Sequence, residues 1–261
     1  MTATPIDTGR SSTREARYFY VWMAGACVAV AFLGFAPTYW ARMATSSFHA
    51  TPIIHIHGLL FSSWTLFFLM QTWFVAQGKV LRHREIGLIG ISLATAMCIA
   101  GVLAAIRSMA HAEEFGAGLM GREFSIVSLS AIVFFGAAVA MAIANVRDPE
   151  THKRLMLLAN VSILQAAAAR WFFVLFAPPD ARGLSPSETG PAPVAISVPP
   201  GLLVDLLIVV AMIYDWRTRG KIHRVYLIGG PALLFLQVIR VPLSTTPAWH
   251  AIAEWVAGLA G

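Results

Sequence analysis

FSIVSLSAIVFFGAAVAMAIAN, residues 124–145, runs for 22 residues without one charged side chain. As an α-helix it would be roughly 33 Å long at about 1.5 Å per residue. A bilayer's hydrocarbon core is about 30 Å thick and needs about 20 predominantly apolar residues to cross it. A buried core helix of a soluble protein is the competing reading, and composition decides between them. The 261 residues are 57% hydrophobic and 12% charged, with a mean hydropathy of +0.69. Ordinary soluble domains are about 45–50% apolar and about 25% charged. No soluble core of this size hides so much apolar surface, so part of the solvent is lipid.

Working outward, six further stretches have the same character: 18–40, 53–77, 86–106, 155–177, 201–216 and 225–241. The sixth span, 201–216, is the shortest, framed by Pro199-Pro200 and by Asp215-Trp216-Arg217. The expected fold is all-α, a polytopic bundle of seven transmembrane helices over 18–246. Residues 1–17 read as a polar cytoplasmic tail, because the apolar run after them is longer than the roughly 7–15 residues of a signal-peptide core. Segment 247–261 reads as a short outer interfacial helix, with Trp249, Ile252, Trp255, Val256 and Leu259 on one face and tryptophan at headgroup depth.

The net charge of +6 would raise nucleic acid as a partner of a soluble protein. Here the cations sit in short loops between apolar runs, so they report topology and not nucleic-acid binding. With the N-terminus inside, the inner segments hold Arg10, Arg14, Arg17, Lys79, Arg82, Arg84, Arg147, Lys153, Arg154, Arg217, Arg219, Lys221 and Arg224. The outer segments hold Arg42, Arg107, Arg122 and Arg182. This bias predicts an N-in, C-out arrangement. Cys27 and Cys98 fall inside apolar runs and read as small buried hydrophobes. A histidine followed by a cation opens three odd-numbered spans (His83-Arg84, His152-Lys153, His223-Arg224), a weak echo of repeated hairpins.

Ionisable groups inside a span cost about 2.5–3.5 kcal/mol each on insertion scales and usually face the bundle interior. Arg170, Asp205 and Arg240 stand out. Arg170 lies 16 residues beyond Arg154, and Arg240 lies 16 beyond Arg224. Each is therefore roughly 24 Å from the inner edge. Asp205 and His57 are each five residues past a proline (Pro200 and Pro52) at the outer edge, on descending helices. These four groups share one layer of the outer leaflet, with Gln165 and Gln237 about a turn deeper. Two readings stay open: an Asp205–arginine salt bridge that fixes helix packing, or a binding layer for a carboxylate, a phosphate or a haem propionate.

Imidazole is the commonest metal ligand. On a helix, His55 and His57 point about 200° apart and cannot share a metal; on extended chain they can. A His55/His57 chelate therefore requires the second helix to begin after His57. His57 is expected to face inward, followed by Trp64 and Gln71 at heptad spacing. His83, His152 and His223 lie at equal depth on three helices at the inner interface. They are candidate ligands for a transition metal or axial ligands for a b-type haem.

Some classes are excluded. Span 225–241 has no lysine, so retinal is not the cofactor. There is no Walker-type glycine loop, no His-Glu-x-x-His and no Cys-x-x-Cys.

The motifs His55-x-His57-Gly58, His83-Arg84-x-x-Gly87 and Asp148-Pro149-Glu150-x-His152-Lys153-Arg154-Leu155-Met156-Leu157, followed by Arg170, Asp205, Asp215, Arg240 and Pro247-Ala248-Trp249, resemble a family of uncharacterised bacterial seven-helix membrane proteins. The resemblance covers nearly the whole chain and implies a multi-pass protein of the bacterial inner membrane. The second and third spans also resemble small histidine-bearing bacterial membrane domains linked to haem or respiratory-oxidase biogenesis. The predicted topology is similar to that of seven-helix membrane metallohydrolases. However, Thr45 stands where their serine would precede His49, and no late His-x-x-x-His occurs. The leading expectation is a histidine-dependent haem- or metal-binding membrane protein. A transporter or binder of a small anionic or lipidic ligand comes next, and a metallohydrolase or an assembly factor after that.

Overall fold

The structure is a computed structural model that describes residues 8–45, 51–176 and 190–260, with residues 8–17 and 260 as backbone only. His49, Arg182 and the proline-rich stretch up to residue 189 lie outside the described residues. Every described element is helical. Helix α1 (Thr8–Phe35) continues through a π-turn, Ala36–Trp40, into one last α-turn, Ala41–Ala44. Pro37 sits in that π-turn, where a missing backbone donor is expected to disturb the i→i−4 ladder. Then follow α2 (Pro52–Ala76), α3 (Val80–Glu114), α4 (Gly118–Ala144), α5 (Pro149–Ile163), α6 (Gln165–Phe176), α7 (Val198–Arg219), α8 (Arg224–Ser244) and α9 (Pro247–Ala257).

Helices α5 and α6 form one span, Pro149–Phe176, interrupted at Leu164, where the backbone tightens to an i→i−3 bond from Leu164 N to Val161 O (3.1 Å). Seven helical segments are then long and apolar enough to cross a membrane. The protein is a multi-pass integral membrane protein built as a seven-helix bundle. Several helices outrun the apolar stretches that announce them. Helix α3 covers 80–114, whereas the apolar stretch covers 86–106. Its outer turns carry Arg82, Arg84, His111 and Glu114, which extend past the hydrocarbon where charge is tolerated.

Local chemistry sets the ends. Pro52, Pro149 and Pro247 each occupy the first turn of their helix, where the missing N–H has no intrahelical partner in any case. Asp148 caps α5, its Oδ1 accepting from Glu150 N (3.1 Å) and Thr151 N (3.2 Å). Thr246 caps α9 by accepting from Trp249 N (3.2 Å). Between α7 and α8, Gly220 takes a φ of 71°, the left-handed conformation that ends a helix at no steric cost to glycine.

Consecutive spans pack as antiparallel neighbours, and α5 sits in the middle, touching α1, α4, α7 and α8. It is buried on almost every side, with Leu157, Ala159 and Val161 fully covered. That is the pattern of a helix enclosed by others. Outward faces such as Val133, Ile228 and Leu88 remain exposed, as a lipid-facing surface must.

The three histidines of the sequence echo sit at two kinds of helix position. His83 lies within the first turn of α3, His152 within that of α5, and His223 precedes α8 as its cap. The expected single face of the C-terminal helix also divides. Ala253 and Val256 are buried against Ile106 and Met109 of α3, with Trp249 beside them. Ile252, Trp255 and Leu259 point outward. Trp249 and Val256 are seven residues apart and share a face, whereas Ile252 and Trp255 begin the next ridge round.

Candidate functional site

Two polar regions lie at opposite ends of the bundle. The basic end carries the α2–α3, α4–α5 and α7–α8 turns; the far end carries the start of α2, the end of α6 and α9.

At the far end, Arg240 of α8 is only 2% exposed. Its Nη2 donates to Gln165 Oε1 (2.8 Å), to Ser197 Oγ (2.8 Å) and to the Ser197 carbonyl (3.3 Å). Its buried Nε has no protein partner. One turn earlier, Gln237 donates through Nε2 to Asp205 Oδ1 (3.3 Å), and its Oε1 is buried without a partner. Gly201 makes room for this amide, since a Cβ there would stand 3.0 Å from Gln237 Cδ. Asp205 is thus bound by a neutral amide, and neither Arg170 nor Arg240 forms a salt bridge with it among the described residues. The hydrogen bonds of Arg240 go to neutral oxygens, while the Asp205 carboxylate lies within electrostatic reach of its guanidinium without pairing to it.

Arg170 belongs to a second cluster. Its Nη1 donates to the Ala166 carbonyl (2.9 Å), its guanidinium lies 4.8 Å from the Phe35 ring centroid, and its buried Nε has no partner. His57 lies within electrostatic reach of Arg170 and against Phe61, with ring centroids 4.1 Å apart and the planes tilted by 31°. Its Nδ1 is buried and unpartnered. Gln165 and Arg170 are five residues apart on α6, about 140° round the helix. The expected single layer therefore resolves into two clusters: Arg240 with Gln165, Ser197, Gln237 and Asp205, and Arg170 with His57.

Helix α2 begins at Pro52, so His55 and His57 are both helical and diverge, which removes the extended geometry that a shared metal needs. His55 bonds the Tyr39 hydroxyl instead (2.9 Å). The face that starts at His57 continues inward as Trp64, 1% exposed, and Gln71, 6% exposed. The Trp64 indole N–H and both amide atoms of Gln71 are buried without protein partners.

At the basic end the three histidines separate into a pair and a single residue. His83 and His152 lie with ring centroids 6.2 Å apart at 79°. His152 Nδ1 bonds the Ala142 carbonyl (2.8 Å), which fixes Nδ1 as the donor and leaves Nε2 as the nitrogen able to bind a metal. His223 is committed elsewhere, accepting from Val225 N (3.3 Å) through Nδ1. Its pKa is held below the ordinary value, first by burial and then by the guanidiniums of Arg154 and Arg219. Among the described residues no three His, Cys, Asp or Glu side chains come together as a metal site.

Sequence reasoning missed the most buried ionic group. Arg154 is 1% exposed and Asp215 is fully buried. They form a two-point pair, Arg154 Nε to Asp215 Oδ2 (2.8 Å) and Nη2 to Oδ1. Glu150 adds a second carboxylate on Arg154 Nη1 (2.7 Å) and also meets Lys153 (2.6 Å) and Arg219. Tyr20 and Tyr226 cover the pair with their hydroxyls 3.4 Å apart. Arg154 reads in sequence as one more loop cation and Asp215 as the end of a span. The available signal was that Arg154 lies a full turn past the Asp148-Pro149 helix start.

No protein-family model, curated protein or solved structure matches this chain.

Proposed function

We propose that the protein binds a small anion, or the anionic head of an amphiphile, at the far-end cluster around Arg240, as a binder or transporter. One observation carries this reading: a guanidinium removed from solvent whose hydrogen bonds go to neutral oxygens and whose Nε has no partner. A buried charge is stable when it is paired and hydrogen-bonded. Here an incoming carboxylate or phosphate supplies both, and Arg170 adds a second cation in the same leaflet. Thermal unfolding of the detergent-purified protein tests it, with acetate, succinate, inorganic phosphate and oleate as probes. At least one of them is expected to raise Tm by several degrees in the wild-type protein and not in Arg240→Gln. Equal shifts in both, or none in the wild type, end the proposal.

A second reading is favoured by His83 and His152: a site for a transition metal or a b-type haem at the basic end, using the free Nε2 of His152. It predicts a Soret band that moves on dithionite reduction, or near-stoichiometric metal, lost in His152→Ala. A colourless, metal-free sample excludes it. The excess of loop cations at the basic end supports a cytoplasmic N-terminus, and the motif resemblance supports residence in the bacterial inner membrane.

A further inference from the structure

A shallow groove runs along the lipid-facing side of α7 and into the turn that follows. Its walls are Val209, Met212, Ile213, Trp216 and Ile222. The four α7 residues are spaced three, one and three apart, so they form one stripe over the last turns of the helix. The stripe climbs about 10 Å from the basic end. No polar side chain enters it. Next in the chain to its lining residues Trp216 and Ile222, Arg217, Lys221 and Arg224 are all exposed, and none is in an ion pair among the described residues. Their neighbour Arg219 is already used by Glu150, and the one acid of this segment, Asp215, is consumed by Arg154. Trp216 is 61% exposed at the junction of the two zones, the position at which tryptophan marks a membrane interface.

An apolar cleft that opens on lipid, followed in the chain by three exposed cations with no ion pair among the described residues, matches an amphiphile with an acyl chain and an anionic phosphate head. We propose that this groove is a binding site for an anionic glycerophospholipid, with one acyl chain along Val209–Met212–Ile213–Trp216 and the phosphate between Arg217, Lys221 and Arg224. Juxtamembrane cations attract anionic lipid. The groove converts that diffuse attraction into a located site. It lies on the outside of the bundle at the basic end, so it is separate from the Arg240 cluster and stands whether or not that cluster binds an anion.

Native mass spectrometry of the full-length protein in mixed micelles tests the site, with dioleoyl-phosphatidylglycerol against dioleoyl-phosphatidylcholine. Wild type is expected to retain phosphatidylglycerol at least fivefold over phosphatidylcholine, with inorganic phosphate unable to displace it. Two surface variants locate it: Arg217→Gln/Lys221→Gln/Arg224→Gln removes the cations, and Val209→Trp fills the groove. Both are expected to abolish the preference. Equal retention of the two lipids by wild type overturns the proposal, as does a preference that survives the triple variant. A preference that survives Val209→Trp means the cations gather a diffuse lipid ring, which overturns the groove as the site; displacement by inorganic phosphate means a free-anion site and overturns it equally.

Discussion

Arg154 and Asp215 show how much one pair of residues can decide. Both are buried at the membrane boundary, joined across 61 positions of sequence, and covered by two tyrosines. Losing one partner leaves the other as an uncompensated buried charge, which costs about 3–5 kcal/mol. Arg154→Met and Asp215→Asn are therefore each expected to lower the detergent Tm strongly. Arg154→Met/Asp215→Leu should recover much of the loss, because apolar replacement of a whole buried pair is often neutral. A double variant no more stable than the single ones would refute that account. His223 offers a second test. Its lowered pKa means that protonation opposes folding. Its contribution is complete above about pH 6.5 and is lost as pH falls through the lower folded value. His223→Asn, which keeps a capping side chain, should flatten the fall of Tm between pH 7.5 and 5.5. An unchanged slope would assign the pH dependence to other groups. The Arg154–Asp215 pairing was not read from the sequence. Arg154 looks like its neighbours Arg147 and Lys153, and only the packing of α5 against α7 turns it inward.

Among the elements, the crossing of α7 and α8 is the most sensitive. Gly201 allows Gln237 to reach Asp205. Gly201→Ala gains about 1 kcal/mol of helix propensity but places a methyl group 3.0–3.2 Å from the Gln237 amide. The expected result is a stability near wild type with a weakened Tm response to anions. A retained response would show that the Gln237–Asp205 contact is not needed there. At α9, Thr246→Ala removes an N-cap at about 1 kcal/mol, and hydrogen exchange over 247–257 should accelerate while the core of α5 is unaffected. Helix existence was legible from apolar run lengths, which is why all seven stretches correspond to spans. Helix ends were less so: the first turns of α3 are polar, and an apolar window stops where the hydrocarbon stops, not where the hydrogen-bond ladder does. The break at Leu164 carries no proline or glycine and gave no signal at all.

At the scale of the whole molecule, composition alone announced the bilayer, since lipid is the only solvent that tolerates faces such as that of Val133 and Ile228. Val133→Arg, on the outward face of α4, is expected to impair insertion by about 2.5–3.5 kcal/mol, visible as lost membrane-fraction yield. Arg replacing a residue in the exposed turn at Val146 should leave yield unchanged. The pairing of ends is directly testable too. Cysteines placed at Lys79 and Lys221 should label with the same membrane-impermeant maleimide protection, and one at Ala117 with the opposite. The polar clusters were only half legible. Depth along each helix followed from residue counts, which put Arg170, Asp205, Arg240 and His57 in one layer with Gln165 and Gln237 about a turn deeper. Rotation about each axis did not, and that is what separates Arg170 from Arg240.

Arg240 also has an electrical consequence. It lies four residues from the end of α8, about 6 Å along the helix, in a span that crosses a hydrocarbon layer of about 30 Å. An anion travelling from the far end to its guanidinium crosses about a fifth of the membrane voltage. At about 2.3 kcal/mol per charge per 100 mV, that is about 0.5 kcal/mol per 100 mV, or roughly a twofold change in affinity. For the anion proposed to bind there, the polarised membrane becomes a dial on occupancy: charging it positive at the basic end draws the anion in, and reversing the polarity drives it out.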